Sequence, residues 1–160
     1  LEYMAEAATL IGAEQVTIHG GGAQEGKARA LERLVRGLDR LSPRARRLVV
    51  LENDDRVYTP ADLLPVCRAH DVPLVYDVHH HRCNPDDLSI EEATNAASAT
   101  WGGREPWFHV SSPAQGWMEG DPRPHHDKLF LRDVPASWRR MRGTIDVEAK
   151  GKETAVLPLV

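Results

Sequence analysis

The feature that most constrains this chain is a pattern that occurs five times: a short apolar run ends near an acid or a histidine and is followed by a helix-like segment or a loop. The clearest case is 73–77, which ends in Asp77 and leads directly into three histidines at 79–81. The other runs are 15–19, 48–51, 107–110 and 144–148. Alternation of strands with helices predicts an α/β fold whose parallel sheet has right-handed crossovers.

The segments between the strands carry helix signals. Apolar positions at helical spacing predict a helix over 24–41, and Ser42-Pro43 is expected to end it. Further helices are predicted over 2–11, from Thr59-Pro60 to about 69, from Ser89 to about 101, over 134–141 and within 151–160. A long loop is expected over 111–127, where glycine and proline are frequent.

Such units form either an open doubly wound sheet or a closed eight-stranded barrel. We favour the barrel because functional-looking residues end every strand, whereas in an open sheet they gather at one switch point. A barrel of this kind needs about 250 residues, and the chain has 160. Residues 1–160 are therefore predicted to be a single domain that supplies about the last five units of a TIM-type (β/α)8 barrel. The three amino-terminal strands would be missing.

Composition narrows the class of protein further. No apolar run approaches the length of a membrane span, and the start of the chain lacks the features of a signal peptide. Two cysteines, Cys67 and Cys83, give no disulfide framework and fit a reducing cytosol. A cytoplasmic protein without a membrane partner is expected. The formal net charge of −4 gives no overall attraction to nucleic acid.

Acids and imidazoles collect at the strand ends and in the loops that follow them. The carboxyl ends of parallel strands meet at one edge, so these groups are expected to converge. Imidazoles and carboxylates without thiolates suit Zn²⁺, Mn²⁺ or Fe²⁺, and this many ligands indicates two or three ions, with Glu52 and Glu148 as bridging carboxylates. Such clusters hydrolyse phosphate esters. The candidate ligands are His19, Glu52, Asp77, His80, His109, Glu148 and either His125 or His126.

Several of these groups also have a purely structural interpretation. His19 could bond a loop carbonyl, and Glu52 could lie in a solvated acidic turn. The run 79–81 could be a surface tract, and at least one of its histidines is expected not to bind metal. Packing is the favoured role of Trp107, Phe108 and Trp117. The basic residues at 44–47 precede a strand, which places them on the opposite rim.

Six motifs resemble the UV damage endonuclease family, metal-dependent DNA repair nucleases related to endonuclease IV and xylose-isomerase-like barrels. The motifs span almost the whole chain in the family's order: Ile18-His19-Gly20-Gly21-Gly22, Leu51-Glu52-Asn53-Asp54-Asp55, Val75-Tyr76-Asp77-Val78-His79-His80, His109-Val110-Ser111-Ser112, His125-His126-Asp127 and Val147-Glu148-Ala149-Lys150-Gly151-Lys152-Glu153.

The resemblance implies a TIM-type barrel that holds two or three divalent ions, with manganese as the favoured metal. The implied metal ligands are His19, Glu52, Asp77, His80, His109, His125 and Glu148, where His125 is chosen because Asp127 matches an acid of the family. Glu52, Glu148 and Lys150 would be catalytic, and Lys150, Lys152, Lys128 and Arg104 are expected near the substrate DNA.

The implied reaction is incision of one strand of double-stranded DNA immediately 5′ to a UV photoproduct, with hydroxide generated at the metals attacking the phosphodiester. Two departures from the family pattern bear on this expectation. Trp107 stands where the family has a modified lysine that helps to hold the metals. The family's amino-terminal strands are absent, so this fragment alone is expected to be inactive.

Two other functions stay open at the level of sequence. One is a metal-dependent sugar isomerase or epimerase on the same kind of barrel, which would also place carboxylates and histidines at strand ends. The other is a non-catalytic metal-binding fragment.

Overall fold

Five parallel strands form one sheet in chain order, β1 to β5. The structure is a computed structural model that describes residues 1–159. The strands are β1 Val16–His19, β2 Val49–Glu52, β3 Leu74–Asp77, β4 Trp107–Val110 and β5 Thr144–Val147. The predicted α/β class with a parallel sheet is confirmed. Closure of the sheet into an eight-stranded barrel stays a prediction.

Within residues 1–159, seven α-helices connect or flank these strands. They are α1 Glu2–Ile11, α2 Lys27–Asp39, α3 Pro43–Leu48, α4 Pro60–His70, α5 Val78–Cys83, α6 Ile90–Ala99 and α7 Glu153–Val156. Short 3-10 turns occur at Leu131–Asp133, Ala136–Arg140 and Leu157–Leu159. The helix predicted over 134–141 is therefore a 3-10 turn and not an α-helix. The capping boxes expected before α4 and α6 are present, with Thr59 and Ser89 as the N-caps.

Two helices differ from the sequence prediction. The predicted helix 24–41 begins only at Lys27, and Ser42 does not simply end it but caps a separate helix, α3, by accepting a hydrogen bond from Ala45 N–H. The basic residues at 44–47 therefore lie on this helix. Asp77 is likewise the N-cap of α5, a helix that is not among those predicted from the sequence. Both misses are short helices that tertiary contacts support, and six residues are too few for helical periodicity to show.

The register of the sheet brings the strand ends to one edge. His19 is paired with Glu52 across β1 and β2, and Asp77 with His109 across β3 and β4. On the helix-covered face, Leu51, Tyr76 and Phe108 are fully buried in the main core. Because alternate residues of a strand point to opposite faces, Glu52, Asp77 and His109 share the other face.

The long loop after β4 returns to this same edge. An antiparallel bridge pairs Pro113 with His125, and His126 N–H donates to the Ser112 carbonyl. Lys150 N–H then donates to the His126 carbonyl, which ties the loop to the segment after β5. None of the helices within residues 1–159 is long and apolar enough to cross a membrane. The predicted final helix is short, and Val160 lies outside the described residues.

Candidate metal centre

Glu52, the last residue of β2, lies at the middle of a cluster of histidines. Its carboxylate accepts a hydrogen bond from His109 Nδ1 at 2.9 Å and lies 3.2 Å from His19 Nε2 and 3.5 Å from His80 Nδ1. Glu148 approaches the same cluster from the end of β5, 3.2 Å from His109 Nδ1. Acids and imidazoles from four strands therefore meet at one place.

Three overlapping groups in this cluster have a geometry that could hold a metal ion. In each group, one potential ligand atom per residue lies within 4.8 Å of the corresponding atoms of the others. The groups are His19 with Glu52 and His80; His80 with His125 and Glu148; and Glu52 with Asp77, His80 and Glu148. A cavity of about 410 Å³ opens over them and is lined by His19, Glu52, His80, His125, Glu148 and Thr17. All seven predicted ligands thus lie at this edge, and their binding of metal stays a prediction.

Burial of the carboxylates is the feature that most favours a cation here. Asp77 is fully buried, and Glu52 is 5% exposed. Asp77 Oδ2 has no hydrogen-bond partner within the described part of the chain, and His80 Nδ1 lies 3.4 Å away. A buried carboxylate oxygen without a partner costs several kcal/mol, on the order of 2–7 kcal/mol for a polar group, unless a charge compensates it. The nitrogen and oxygen donors, with no thiolate in the three groups, fit Mn²⁺ or Zn²⁺.

The pKa values of the cluster reflect strong mutual attraction. Burial alone would raise the pKa of Glu52, but hydrogen bonds from His109, His19 and His80 hold it well below its usual range. Burial alone would lower the pKa of His80, yet the hydrogen bond and charge of Glu52 and the charge of Asp77 raise it to about 9. The pKa of His109 is raised to about 10, because hydrogen bonds to Glu148 and Glu52 outweigh its burial. Burial raises the pKa of Asp77.

The three consecutive histidines of α5 have separate environments, and all are buried. His80 points its Nδ1 at the Asn53 carbonyl at 3.0 Å; since a carbonyl only accepts, Nδ1 carries the proton and Nε2 is left for an ion. His81 instead lies between the Tyr76 hydroxyl at 2.7 Å and Asp86 at 2.9 Å. His79 donates from Nε2 to the Arg123 carbonyl. The run is therefore a buried helix rather than a surface tract, and only His80 belongs to the three groups.

The loop histidines are also distinguished by the structure. His125 Nδ1 lies 3.8 Å from Glu148, on the cavity. His126 Nδ1 accepts from Lys128 N–H at 2.9 Å, and its ring packs against Phe130. Of the two alternatives, the fold brings His125 to the cluster.

The predicted DNA-contacting cations fall on two different sides of the molecule. Lys150 and Lys152 line a cavity of about 660 Å³ that also includes His125 and Glu148, so it adjoins the candidate metal centre. Lys128 is exposed and follows the segment that pairs with residues 150–151. Arg104 does not lie beside this cavity. It precedes β4 and lines a separate cavity of about 540 Å³ with Arg46, Arg47 and His70, at the opposite edge of the sheet.

Two residues near the centre were missed at the level of sequence. Asp146 shares the inner face of β5 with Glu148, and its carboxylate lies 3.7 Å from His109 Nε2. The sequence signal for Asp146 was its spacing of two residues from Glu148, which puts both side chains on the same face of a strand. Arg123 lines the lysine-bearing cavity and is held by Asp121 at 3.1 Å, and no motif identified it.

Trp107 has a packing role. It lies on the same strand as His109, two residues earlier, and packs against Val50, Val75 and Trp101. Because residues two apart on a strand share a face, Trp107 lies on the same face of the sheet as His109, where its indole packs among apolar side chains.

Comparison with known proteins finds relatives named UV DNA damage endonuclease. Residues 1–160 match the family model described as UV-endonuclease UvdE. The UV DNA damage endonuclease of Bacillus cereus (strain B4264) is 32% identical over 152 residues, which cover 91% of this chain and 47% of that protein. The UV DNA damage endonuclease of Bacillus mycoides (strain KBAB4) gives the same identity and coverage.

A solved structure shows the same fold. The crystal structure of SacUVDE superimposes with a TM-score of 0.82 at 24% sequence identity, covering 97% of this chain and 53% of that one. The chain spans about half the length of the relatives it matches. The match of the family model over all 160 residues identifies the chain as a member of the UV-endonuclease UvdE family.

Proposed function

We propose that this chain forms part of a metal-dependent DNA repair endonuclease that nicks double-stranded DNA immediately 5′ to UV photoproducts. The observation that carries the proposal is the convergence of Glu52, Asp77, His80 and Glu148, whose ligand atoms lie within 4.8 Å of one another. The family match indicates the class of substrate, and the cluster supplies groups suited to hydrolysis of a phosphodiester. The five βα units would form part of a TIM-type barrel, consistent with the SacUVDE superposition.

The seven ligand residues would hold two or three divalent ions, with manganese as the favoured metal. When bound, the ions would provide the attacking hydroxide and neutralise the charge that develops on the phosphate. Glu52 and Glu148 are suited to hold adjacent ions, because each contacts histidines on more than one side. The buried carboxylates keep the histidine side chains in place before any ion binds.

The adjoining cavity provides a path for the DNA backbone. Lys150, Lys152 and Arg123 line it, and their positive charges would bind phosphates on either side of the reacting one. Lys150, the proposed catalytic cation, follows Glu148 by two residues. A lesion that already weakens base stacking would be extruded toward this edge at lower cost than an undamaged pair.

The test is incision of UV-irradiated supercoiled plasmid by the full-length protein with Mn²⁺. We expect conversion to the nicked form on irradiated but not on undamaged plasmid. Glu148→Gln should lower the nicking rate by about 100-fold or more, since it removes a charge from the cluster, with little change in DNA binding. The matched control is Glu153→Gln, the same change at an exposed residue of α7, which should leave nicking unchanged.

Other outcomes would redirect the proposal. Isomerisation of a ketose without incision would favour a sugar isomerase or epimerase. Binding of damaged DNA and metal by the full-length protein without any nicking would favour a non-catalytic metal-binding role. Nicking that survives Glu148→Gln would remove Glu148 from the reaction.

A further inference from the structure

Asn53 follows β2 directly and is fully buried. Its side chain makes two hydrogen bonds with the backbone of a single residue on the next strand. Asn53 Nδ2 donates to the Asp77 carbonyl at 2.9 Å, and Asn53 Oδ1 accepts from Asp77 N–H at 3.0 Å. The carboxamide therefore takes the place of a peptide group and extends the pairing of β2 with β3 beyond its last registered pair, Glu52 with Val75.

The backbone of Asn53 restrains a second candidate ligand. Its carbonyl accepts the hydrogen bond from His80 Nδ1 at 3.0 Å. His80 N–H in turn donates to Asp77 Oδ1 at 2.8 Å, so the three residues form a closed set of hydrogen bonds. Asn53 thus contacts Asp77 through its side chain and His80 through its main chain, while its sequence neighbour Glu52 occupies the middle of the cluster.

We propose that Asn53 is a positioning residue of the metal centre, which orients Asp77 and His80 without binding metal itself. This inference rests on the proposed metal site. It also gives a physical reason for the asparagine in Glu52-Asn53-Asp54: only a carboxamide of this length both donates and accepts along the strand edge. Aspartate would lose the donor, and alanine would leave the buried backbone N–H and carbonyl of Asp77 without these partners.

The neighbouring Asp54 has a different structural role, so the residues of Glu52-Asn53-Asp54 act separately. Its carboxylate accepts hydrogen bonds from the backbone N–H groups of Arg56, Val57 and Tyr58 and so shapes the following loop. Asp54 has no contact of this kind with Asp77 or His80 within the described residues. Loss of loop structure and loss of ligand orientation can therefore be separated by mutation.

The test is calorimetric titration of the full-length protein with Mn²⁺. Asn53→Ala should weaken Mn²⁺ binding by about 10- to 100-fold, the range typical of residues that orient metal ligands by hydrogen bonding to them. The matched control is Asn84→Ala. Asn84 also donates from its side-chain amide to a backbone carbonyl near the centre, that of Asp54 at 3.3 Å, but its side chain makes no hydrogen bond to Asp77. The control should change affinity by less than about threefold.

Equal affinities of Asn53→Ala and wild type, measured on folded protein, would overturn the inference. A second measurement does not depend on the variant folding. In metal-free wild-type protein, the side-chain amide protons of Asn53 and the backbone amide of Asp77 should exchange slowly with solvent by NMR. Fast exchange of both would equally refute the proposed restraint.

Failure of the proposed function gives a different pattern from failure of this inference. If the wild type binds Mn²⁺ but nicks no damaged plasmid, the endonuclease proposal fails, and the affinity ratio of the two variants still decides the role of Asn53. If the wild type binds no Mn²⁺ at all, both fail together.

Discussion

Metal binding to this cluster should release protons, because His80 and His109 are protonated when no ion is present. The pKa of His80 is raised to about 9 and that of His109 to about 10, chiefly by Glu52, Glu148 and Asp77, against the effect of burial. Both pKa values are raised, so both rings are imidazolium at pH 8 in the metal-free protein. A ring nitrogen must be free of its proton to bind a metal ion.

The size of the effect follows from the pKa values. At pH 8 a group with a pKa of about 9 carries about 0.9 proton and one with a pKa of about 10 carries about 1, so binding through both rings releases about two protons. His19 adds to this, since its hydrogen bond with Glu52 raises its pKa. Two histidines with unperturbed pKa values would together release less than about 0.1 proton.

The measurement is calorimetry of Mn²⁺ binding at pH 8 in two buffers of different ionisation enthalpy. The difference in observed enthalpy gives the number of protons released. Affinity should also rise with pH, by about a hundredfold between pH 7 and pH 8 if two protons compete with the ion. His80→Ala serves as the control and should reduce the release by about one proton.

Release of fewer than about 0.2 proton at pH 8 would refute this reasoning. It would mean either that the histidines are neutral before the ion binds or that they do not bind it. A His80→Ala variant with unchanged proton release would exclude His80 from the linked set, even if His109 remained in it.

Two further predictions concern residues around the centre. Asp146→Asn should weaken Mn²⁺ binding by about tenfold, since it removes the carboxylate 3.7 Å from His109 Nε2. The measurement is competition for Mn²⁺ with a chelator. Affinity equal to wild type would show that this contact does not orient the His109 ring. Asp133→Ala should lower the free energy of unfolding, measured by urea denaturation, by about 2–4 kcal/mol. The reason is that Asp133 is buried and accepts hydrogen bonds from Ser112 Oγ and Trp117 Nε1. A loss below about 0.5 kcal/mol would contradict that role.

Most of the main strands and helices could be predicted because their signals are local. Apolar runs such as the one that ends in Glu52 are buried on both faces of a parallel sheet and are recognisable without tertiary information. The short helices α3 and α5 could not be predicted in this way. Each has only six residues, and packing and capping, rather than a helical repeat, stabilise them.

The partners and locations of individual side chains could be predicted less well than the positions at which the strands end. Arg104 was expected near the substrate, but its position before β4 puts it at the amino edge of the sheet. Asn53 was noted only as part of a motif, because its two hydrogen bonds join it to a residue 24 positions away. Contacts of this kind depend on strand register, which no local pattern specifies.

The amino-acid sequence alone determined that acids and imidazoles would end the strands and, given a parallel sheet, would gather at one edge. That follows from the constant direction of parallel strands and the two-residue period of their side chains. Only the tertiary structure decided which imidazoles meet. His80 and His125 reach the cluster, while their neighbours His81 and His126 bond elsewhere. The helical turn after Asp77 and the return path of the long loop set those directions, and both depend on contacts between residues distant in sequence.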